Sequence, residues 1–315
     1  MAIRREEKGG RDQMRFPIVK KRKWFFLLSG SITVAGIIVM LVFGLNLGTD
    51  FKAGAQIQVQ LNQTFQASKV QQVFAKVGID VPTSAITSAG TTNNMAVIRL
   101  GTTLNAKQEA AINNAITTVF PKALVPAEFS SVDPVIAQEQ SQTAIWAVAF
   151  ASLGIVIYVA IRFEYRYAIS GIIALLHDAF IVISVFALLR IQVDLPFIAA
   201  VLTIVGYSIN DTIVIFDRIR ENMKSAKVKT LMELEELVDH SLWQTMARSI
   251  NTVLTVLFAA ITLFLFGGSS IHNFTFALLI GLVSGAYSSI FIASPIWVIW
   301  RSRSLGKTKR KRVTA

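Results

Sequence analysis

The chain has 315 residues, of which 53% are hydrophobic, and its mean hydropathy of +0.55 is typical of an integral membrane protein. It contains no cysteine, which excludes disulfides, thiolate metal sites and cysteine nucleophiles. The net charge of +12 would suit a nucleic-acid partner, so the positions of the basic residues along the chain decide that point.

A basic segment over residues 1–23 leads into a first apolar stretch over residues 24–45. Roughly 22 apolar residues are enough to cross a bilayer. A cleaved signal peptide is the alternative. It needs a shorter apolar core and a small-residue cleavage site, and Gly44-Leu45-Asn46-Leu47 provides a poor one. A retained first membrane helix is therefore favoured.

Residues 46–140 contain no apolar span and are predicted to form an external α+β domain. Alternating or short apolar runs predict strands over 55–61, 83–87, 95–100 and 124–132. Helical spacing predicts helices over 66–77 and 107–120. The order βαββαβ is the split-βαβ, ferredoxin-like arrangement. The domain has no histidine and scattered acids, which favours a binding or force-transmitting module over an active site.

Five further apolar spans lie at about residues 143–161, 167–189, 195–216, 241–266 and 274–300. The predicted fold class is an α-helical membrane protein with six transmembrane helices and one external α+β domain between helices 1 and 2. Residues 141–300 hold helices 2–6 with a cytoplasmic loop at about 218–240, and residues 301–315 form a basic cytoplasmic tail.

Most of the lysines and arginines lie beside the spans, in residues 1–23, 162–166, 218–229 and 301–315. Six spans put both termini on the same side of the membrane. If that side is the cytoplasm, all four basic segments are inside and only Arg190 lies in an external loop. The positive-inside rule thus explains the net charge, and no nucleic-acid partner is needed.

Three polar groups lie within the spans: Asp211 in the fourth, His177-Asp178 in the third and Arg248 in the fifth. An acid near a helix centre costs about 2.5–3.5 kcal/mol to insert, so such residues are by default ion or proton sites that face other helices. Polar side chains that could support them are Asn210, Thr212, Ser208 and Asn251.

Asp211 and Arg248 are expected at a similar depth. At about 1.5 Å per helical residue, Asp211 lies roughly 10 Å from Arg218 and Arg248 roughly 10–12 Å from His240, on antiparallel helices. An Asp–Arg ion pair there would relieve much of the cost of burying each charge. Two plainer alternatives stay open: the pair could be purely structural, and Asp178 could simply bond to His177 or to a neighbouring hydroxyl.

The sequence carries no GxxxxGK[ST], HExxH or GxSxG motif. We therefore predict that the protein is not an enzyme and has no catalytic residue, metal site or cofactor. Any work it performs would then be driven by an ion gradient or a partner. One elementary charge moving through the membrane potential yields about 2.3 kcal/mol per 100 mV, enough to bias a two-state rearrangement.

The chain resembles the SecF family of protein-export membrane subunits, which pair with SecD in the SecDF complex and belong to the RND superfamily. The motifs that carry the resemblance run from the first span to the sixth: LGTDF at 47–51, DPVI at 133–136, RFE at 162–164, LLHD at 175–178, AAVLTIVGYSINDTIVIFDRIREN at 199–222, SLWQTMARS at 241–249 and GAYSSIF at 285–291. The fourth-span motif is the most specific of these.

The resemblance implies a protein of the bacterial cytoplasmic (inner) membrane that forms a pseudo-symmetric heterodimer with SecD. The complex assists the SecY translocon and uses the proton-motive force, or a sodium gradient in some relatives, to help pull exported unfolded polypeptide outward. The family's proton-relay Asp and Arg correspond to Asp211 and Arg248. The motif that leads into the external domain includes Asp50, Phe51 and Gly54.

This chain departs from the family pattern at two places. Lys52-Ala53-Gly54-Ala55 stands where the family has a paired glycine followed by Thr, and Ala247 stands where a Ser usually precedes the Arg. Two other functions remain as alternatives: an RND-type exporter of small hydrophobic solutes, which would need larger external domains than residues 46–140 provide, and a purely structural scaffold.

Overall fold

A computed structural model describes residues 16–89, 94–226 and 228–313 of the chain. The predicted basic residues Arg4, Arg5, Lys8, Arg11 and Arg15, together with Lys227, lie outside the described residues. Helix α1 (Arg22–Phe43) and the single turn α2 (Thr49–Lys52) lead into an α+β domain. Its elements are β1 (Gly54–Gln60), α3 (Ala67–Lys76), β2 (Ile86–Ala89), β3 (Met95–Leu100), α4 (Ala106–Val119) and β4 (Glu128–Val132).

The domain has one antiparallel four-stranded sheet in the order β2-β3-β1-β4. Ile57 in the middle of β1 lies opposite Ile98 of β3 and Phe129 of β4. The predicted strand at 83–87 begins later than expected, because Thr83–Ala85 form a 3-10 turn after Pro82. The last strand begins at Glu128 instead of 124, after Pro126, which has no N–H to donate to a ladder.

Five membrane-length helices follow the domain: α5 (Pro134–Arg162), α6 (Tyr165–Leu188), α7 (Leu195–Ser225), α8 (Leu231–Phe266) and a last helix over His272–Ser304. The last one comprises α9 (His272–Ser288), a π-helical turn (Ser289–Ala293) and the start of α10 (Ser294–Val313). With α1 they make six helices long and apolar enough to cross a membrane in the described part of the chain.

The helices extend past the apolar stretches that predicted them. Helix α5 begins at Pro134 inside predicted domain 46–140, because the Asp133 side chain caps the Val135 N–H at 2.9 Å. Helix α8 begins at a capping box formed by Thr230 and Glu233, so the predicted loop at 218–240 is reduced to residues 226–230. Hydropathy marks only the apolar part of a helix, whereas the caps mark its ends.

Helices α6, α7 and α9 pack closely, and small residues on α9 set the distance. A methyl group on Gly281 would collide with Ile204 of α7, and Gly285 faces Ser208 one turn further on. The GxxxG spacing of these glycines therefore marks a close helix approach. The same spacing at Gly44–Gly48 does not, because Gly44 ends α1 and Gly48 lies beyond it.

The turn before β1 holds a non-glycine residue in a conformation that suits glycine. Ala53 has φ 62° and ψ 168°, a region that costs about 1–3 kcal/mol for residues with a Cβ. Gly54 follows at φ 117°, and a Cβ at this position would collide with the Leu100 carbonyl oxygen. Ala53 is also where the sequence departs from the paired glycine of the family.

Ala53→Gly is expected to stabilise the folded protein by about 1 kcal/mol, since the relief of backbone strain exceeds the entropy that glycine adds to the unfolded chain. The thermal unfolding midpoint of the purified protein checks this. Ala55→Gly, in the regular strand β1, is the matched control and should lower the midpoint. A lower midpoint for Ala53→Gly as well would contradict the strain argument.

Candidate functional site

The first buried carboxylate belongs to Asp178 on α6, whose side chain is fully buried. Three serine hydroxyls donate to it: Ser284 to Oδ1 at 2.7 Å, and Ser208 and Ser288 to Oδ2 at 2.6 and 2.7 Å. His177 Nδ1 lies 3.0 Å from Oδ1. A carboxylate has about four acceptor positions, and here each oxygen uses two. Asp178 is thus fully hydrogen-bonded by α6, α7 and α9.

His177 makes one hydrogen bond with its ring, between Nδ1 and Asp178 Oδ1. Its Nε2 is buried and has no hydrogen-bond partner among the described residues. The structure contains the hydrogen bonds to His177 and to neighbouring hydroxyls that the plainer alternative for Asp178 expects, and the predicted relay role of Asp178 and His177 stays a prediction.

The second buried carboxylate, Asp211 on α7, is only half hydrogen-bonded. Ser249 Oγ of α8 donates to its Oδ1 at 2.5 Å. Asp211 is 9% exposed, and its Oδ2 is buried with no partner at hydrogen-bond geometry in the described chain, although the Ser289 hydroxyl of the π-helical turn also lies near this carboxyl. One oxygen of this acid is therefore available for a proton or a cation.

Arg248 does not form the predicted ion pair with Asp211 in this conformation. Its side chain is exposed, and the ion pairs found within residues 16–89, 94–226 and 228–313 do not include it. The predicted contact between Asp211 and the helix that carries Arg248 is present, but the residue of α8 that makes it is Ser249. One residue further along a helix is a rotation of about 100°, so Arg248 lies on a more exposed side of α8 than Ser249, while its charge still acts on the Asp211 carboxyl.

The four supporting polar residues divide into two pairs. Ser208 donates to Asp178, and the Thr212 hydroxyl lies 2.8 Å from that of Ser289 in the π-helical turn. Asn210 and Asn251 are exposed.

The exposed sides of α7 and α8 form a polar face in the middle of the bundle surface. Tyr207 of α7 donates to the Thr252 carbonyl of α8 at 2.8 Å, which holds the two helices together there. The exposed polar side chains of this face are Thr203, Asn210, Arg248, Asn251 and Thr255. These side chains lie within the helices α7 and α8 that are long and apolar enough to cross a membrane.

A junction ties the α+β domain to the bundle at the turn between α6 and α7. Asp50 Oδ2 accepts from the Leu195 N–H at the start of α7 at 2.9 Å, and the Gly48 N–H donates to the Val193 carbonyl at 2.7 Å. Arg190 donates to the Gly44 carbonyl at 2.6 Å, at the end of α1. Phe51 packs on the apolar core formed by α6, α7, α8 and α9. The motif predicted to lead into the domain is thus bonded to the helix that carries Asp211.

Side chains from three parts of the chain complete this junction. Arg99 of β3 donates to Gln192 Oε1 at 2.9 Å, and Asn273 of α9 donates to Asp194 Oδ2 at 2.7 Å. Asp194 also caps α7 by accepting the Phe197 N–H at 2.9 Å. Burial raises the pKa of the Asp194 carboxyl, although these hydrogen bonds oppose the shift. None of these contacts was predicted, because they join segments far apart in sequence.

Asp194 gives the junction a pH dependence of known sign. Because its pKa is raised in the folded protein above the ordinary value of 3.8, the folded state holds the proton longer than the unfolded chain, and the unfolding free energy falls as pH rises through that window. Asp194→Asn keeps an oxygen for the helix cap and cannot ionise. Its thermal midpoint relative to wild type should therefore rise between pH 4 and pH 7.

The matched control for this measurement is Asp80→Asn, which makes the same change at an exposed aspartate of the α+β domain, away from the junction. Its midpoint should follow that of the wild type across the same pH range. If the difference in thermal midpoint between Asp194→Asn and the wild type does not change with pH, Asp194 is not the buried titrating group.

Two family models match the chain. The one described as protein export membrane protein SecD/SecF, C-terminal, matches residues 111–303, and the one described as SecD/SecF GG motif matches residues 38–64. The first begins within α4 of the domain, continues into the last membrane-length helix and includes both buried carboxylates. The second contains the α1–β1 connection of the junction.

Similar proteins agree with these matches. The protein translocase subunit SecF of Alicyclobacillus acidocaldarius is 58% identical over 94% of this chain and 96% of its own length. The protein translocase subunit SecDF of Bacillus subtilis is 47% identical over 93% of this chain, but this chain spans only 39% of it. A crystal structure of SecDF from Thermus thermophilus, described as a translocon-associated membrane protein, is 30% identical with a TM-score of 0.81, covering 92% of this chain and 39% of that one.

Proposed function

Because this chain belongs to the SecF family of protein translocase subunits, we propose that it pairs with a SecD subunit and uses an ion gradient to assist polypeptide export. The single observation that carries the ion-driven part is the half-bonded carboxylate of Asp211, buried between α7 and α8 with Oδ2 unpartnered in the described chain. It supports uptake of H⁺ or Na⁺ at this oxygen.

Uptake of a cation would change the contacts of Asp211. A proton on Oδ2 removes the negative charge that accepts the Ser249 hydrogen bond and attracts Arg248. Helices α7 and α8 would then settle into a different relative position. Arg248, one residue from Ser249, is the cation that would lose its attraction to Asp211 and could then move.

The polar face on α7 and α8 supports pairing with SecD. It holds Arg248 and Asn251 at membrane depth on the outside of this chain, where lipid tails cannot satisfy them. A second bundle that covers the face would supply hydrogen-bond partners and enclose an ion path between the two halves. In SecDF relatives, this chain's counterpart occupies 39% of a polypeptide that also holds the other half.

The orientation follows from charge. The basic segments beside the helices support a cytoplasmic location for both termini and an external location for the α+β domain. The order β2-β3-β1-β4 with two helices supports a ferredoxin-like assignment of that domain. The junction would carry a movement of α7 to the domain, because Asp50 bonds directly to the first turn of α7.

Affinity purification from native membranes tests the pairing. We expect SecD and SecY to be recovered with this chain at stoichiometric levels, and substitution of Arg248 and Asn251 by leucine to reduce the recovery of SecD. Recovery of a homotrimer without SecD would favour the RND-type solute exporter. Normal export by a variant with Asp211 and Arg248 both replaced by apolar residues would favour the structural scaffold.

A further inference from the structure

A basic cavity of about 250 Å³ lies at the end of the bundle that carries the chain termini, between the ends of α6, α7 and α10. Four cationic side chains line it, Arg166, Arg220, Lys224 and Arg301, against one acid, Glu164. Neither the export function nor the ion site uses any of them. The cavity is smaller than the pockets that hold drug-sized ligands, so it suits a compact charged group.

Among the described residues, the cations of the cavity have no acidic partner, unlike others at the same end of the bundle, and Arg166 hydrogen-bonds to the hydroxyls of Tyr165 and Ser304 instead. Arg162 pairs with Asp217, Arg218 with Glu221 and Arg22 with Glu235. Within the described chain, none of the four cavity cations forms an ion pair, and Arg301 Nε is buried without a hydrogen-bond partner. Charges left together in this way favour an anion that neutralises them.

A second, independent observation comes from Trp297. Its side chain is 2% exposed and lines the cavity, and its Nε1–H has no acceptor among the residues described. A buried indole N–H normally finds a partner, and it can only donate. An oxygen of a ligand in the cavity would accept from it, which again indicates an anion with oxygen atoms.

The position of the cavity selects the source of that anion. Next to it, Arg166 also lines a second cavity of about 240 Å³ together with Tyr165, Trp300 and Arg303. Tryptophan and tyrosine at the ends of membrane helices mark the headgroup level, and basic pockets between helices at this level bind anionic lipid headgroups.

We propose that the cavity between α6, α7 and α10 binds the phosphodiester of an anionic phospholipid. Arg166, Arg220 and Arg301 provide charge, and Trp297 Nε1–H donates to a phosphate oxygen. The acyl chains extend along the apolar surface of the bundle beside Trp300.

The test titrates the purified full-length chain in mild detergent with phosphatidylglycerol, phosphatidylcholine or sodium phosphate. The thermal midpoint and the lipid retained in native mass spectra are measured for each. We expect phosphatidylglycerol to raise the midpoint and to be retained, and phosphatidylcholine to do neither. An equal response to inorganic phosphate would overturn the lipid assignment, and an equal response to phosphatidylcholine would overturn the anionic site.

Variants locate the site. Arg220→Gln with Arg301→Gln should weaken phosphatidylglycerol binding about thirtyfold, and Trp297→Phe about tenfold, each compared with its own lipid-free midpoint. Lys20→Gln with Lys23→Gln removes the same charge from exposed positions at the same end and should leave binding unchanged. Wild-type affinity in both cavity variants would overturn the proposal. Trp297→Phe keeps it testable if the double variant does not fold.

Discussion

Asp211→Asn is expected to abolish the ion-gradient-dependent part of polypeptide export, leaving the rate at its level without a gradient. Asparagine keeps the size of the side chain and the oxygen that accepts from Ser249, but it cannot take up a proton or hold a negative charge. The loss should therefore be complete although the fold and the assembly with SecD remain. Export into membrane vesicles, measured with and without an imposed gradient, checks this.

Asp217→Asn is the matched control, because it makes the same change on the same helix less than two turns away. Asp217 forms an ion pair of 2.6 Å with Arg162, and both side chains are partly exposed. Exposed ion pairs contribute about 0–1 kcal/mol, so this variant should export normally. Gradient-dependent stimulation that persists in Asp211→Asn would rule out Asp211 as the ion site.

Asp178→Asn is expected to affect stability instead of ion uptake, with a loss of about 2–3 kcal/mol of unfolding free energy. Each oxygen of Asp178 accepts two hydrogen bonds, and the amide nitrogen of asparagine accepts none. At least one charge-assisted bond, worth about 1.5–3 kcal/mol, would be lost. Thermal unfolding of the purified protein measures the change.

The same substitution at Asp211 is the control for this stability experiment. Asp211→Asn should lower the unfolding free energy by less than about 1 kcal/mol, because Oδ1 carries the hydrogen bond from Ser249 and asparagine keeps that oxygen. The two isosteric variants should thus separate a structural acid from a functional one. Equal midpoints for Asp178→Asn and Asp211→Asn would contradict the distinction drawn between the two carboxylates.

The sequence was a good guide to what depends on hydropathy and on depth. Six membrane helices, the alternating strand β1 and the approach of α8 to Asp211 all follow from short-range patterns, with periods of 2 or 3.6 residues. Rotation about the helix axis does not follow from depth. For this reason the sequence could not show that Ser249 contacts Asp211 and that Arg248 is exposed.

The hydroxyls around Asp178 could not be predicted in the same way. Serines are common in membrane helices, and nothing local marks Ser284 and Ser288 as partners of an acid on another helix. Their direction depends on how closely α9 approaches α7, which Gly281 allows. The spacing of that glycine was visible in the sequence, but the partner helix was not.

The junction was missed for a related reason. Asp50 lies in the single turn α2, Asp194 caps α7 and Asn273 lies in the first turn of α9, and each is an ordinary helix-end residue by itself. Only the fold brings them together. A capping aspartate that precedes Leu195-Pro196 was a visible signal for the start of α7, and it could have been used to place that helix end.

The most direct test of ion uptake at Asp211 is a flux measurement in proteoliposomes that contain this chain with its SecD partner. Proton and sodium fluxes are recorded against pH and Na⁺ concentration for the wild type and for Asp211→Asn. The proposed mechanism predicts a flux of one of the two ions in the wild type and none in the variant, at equal amounts of assembled complex. An undiminished flux through Asp211→Asn would contradict it.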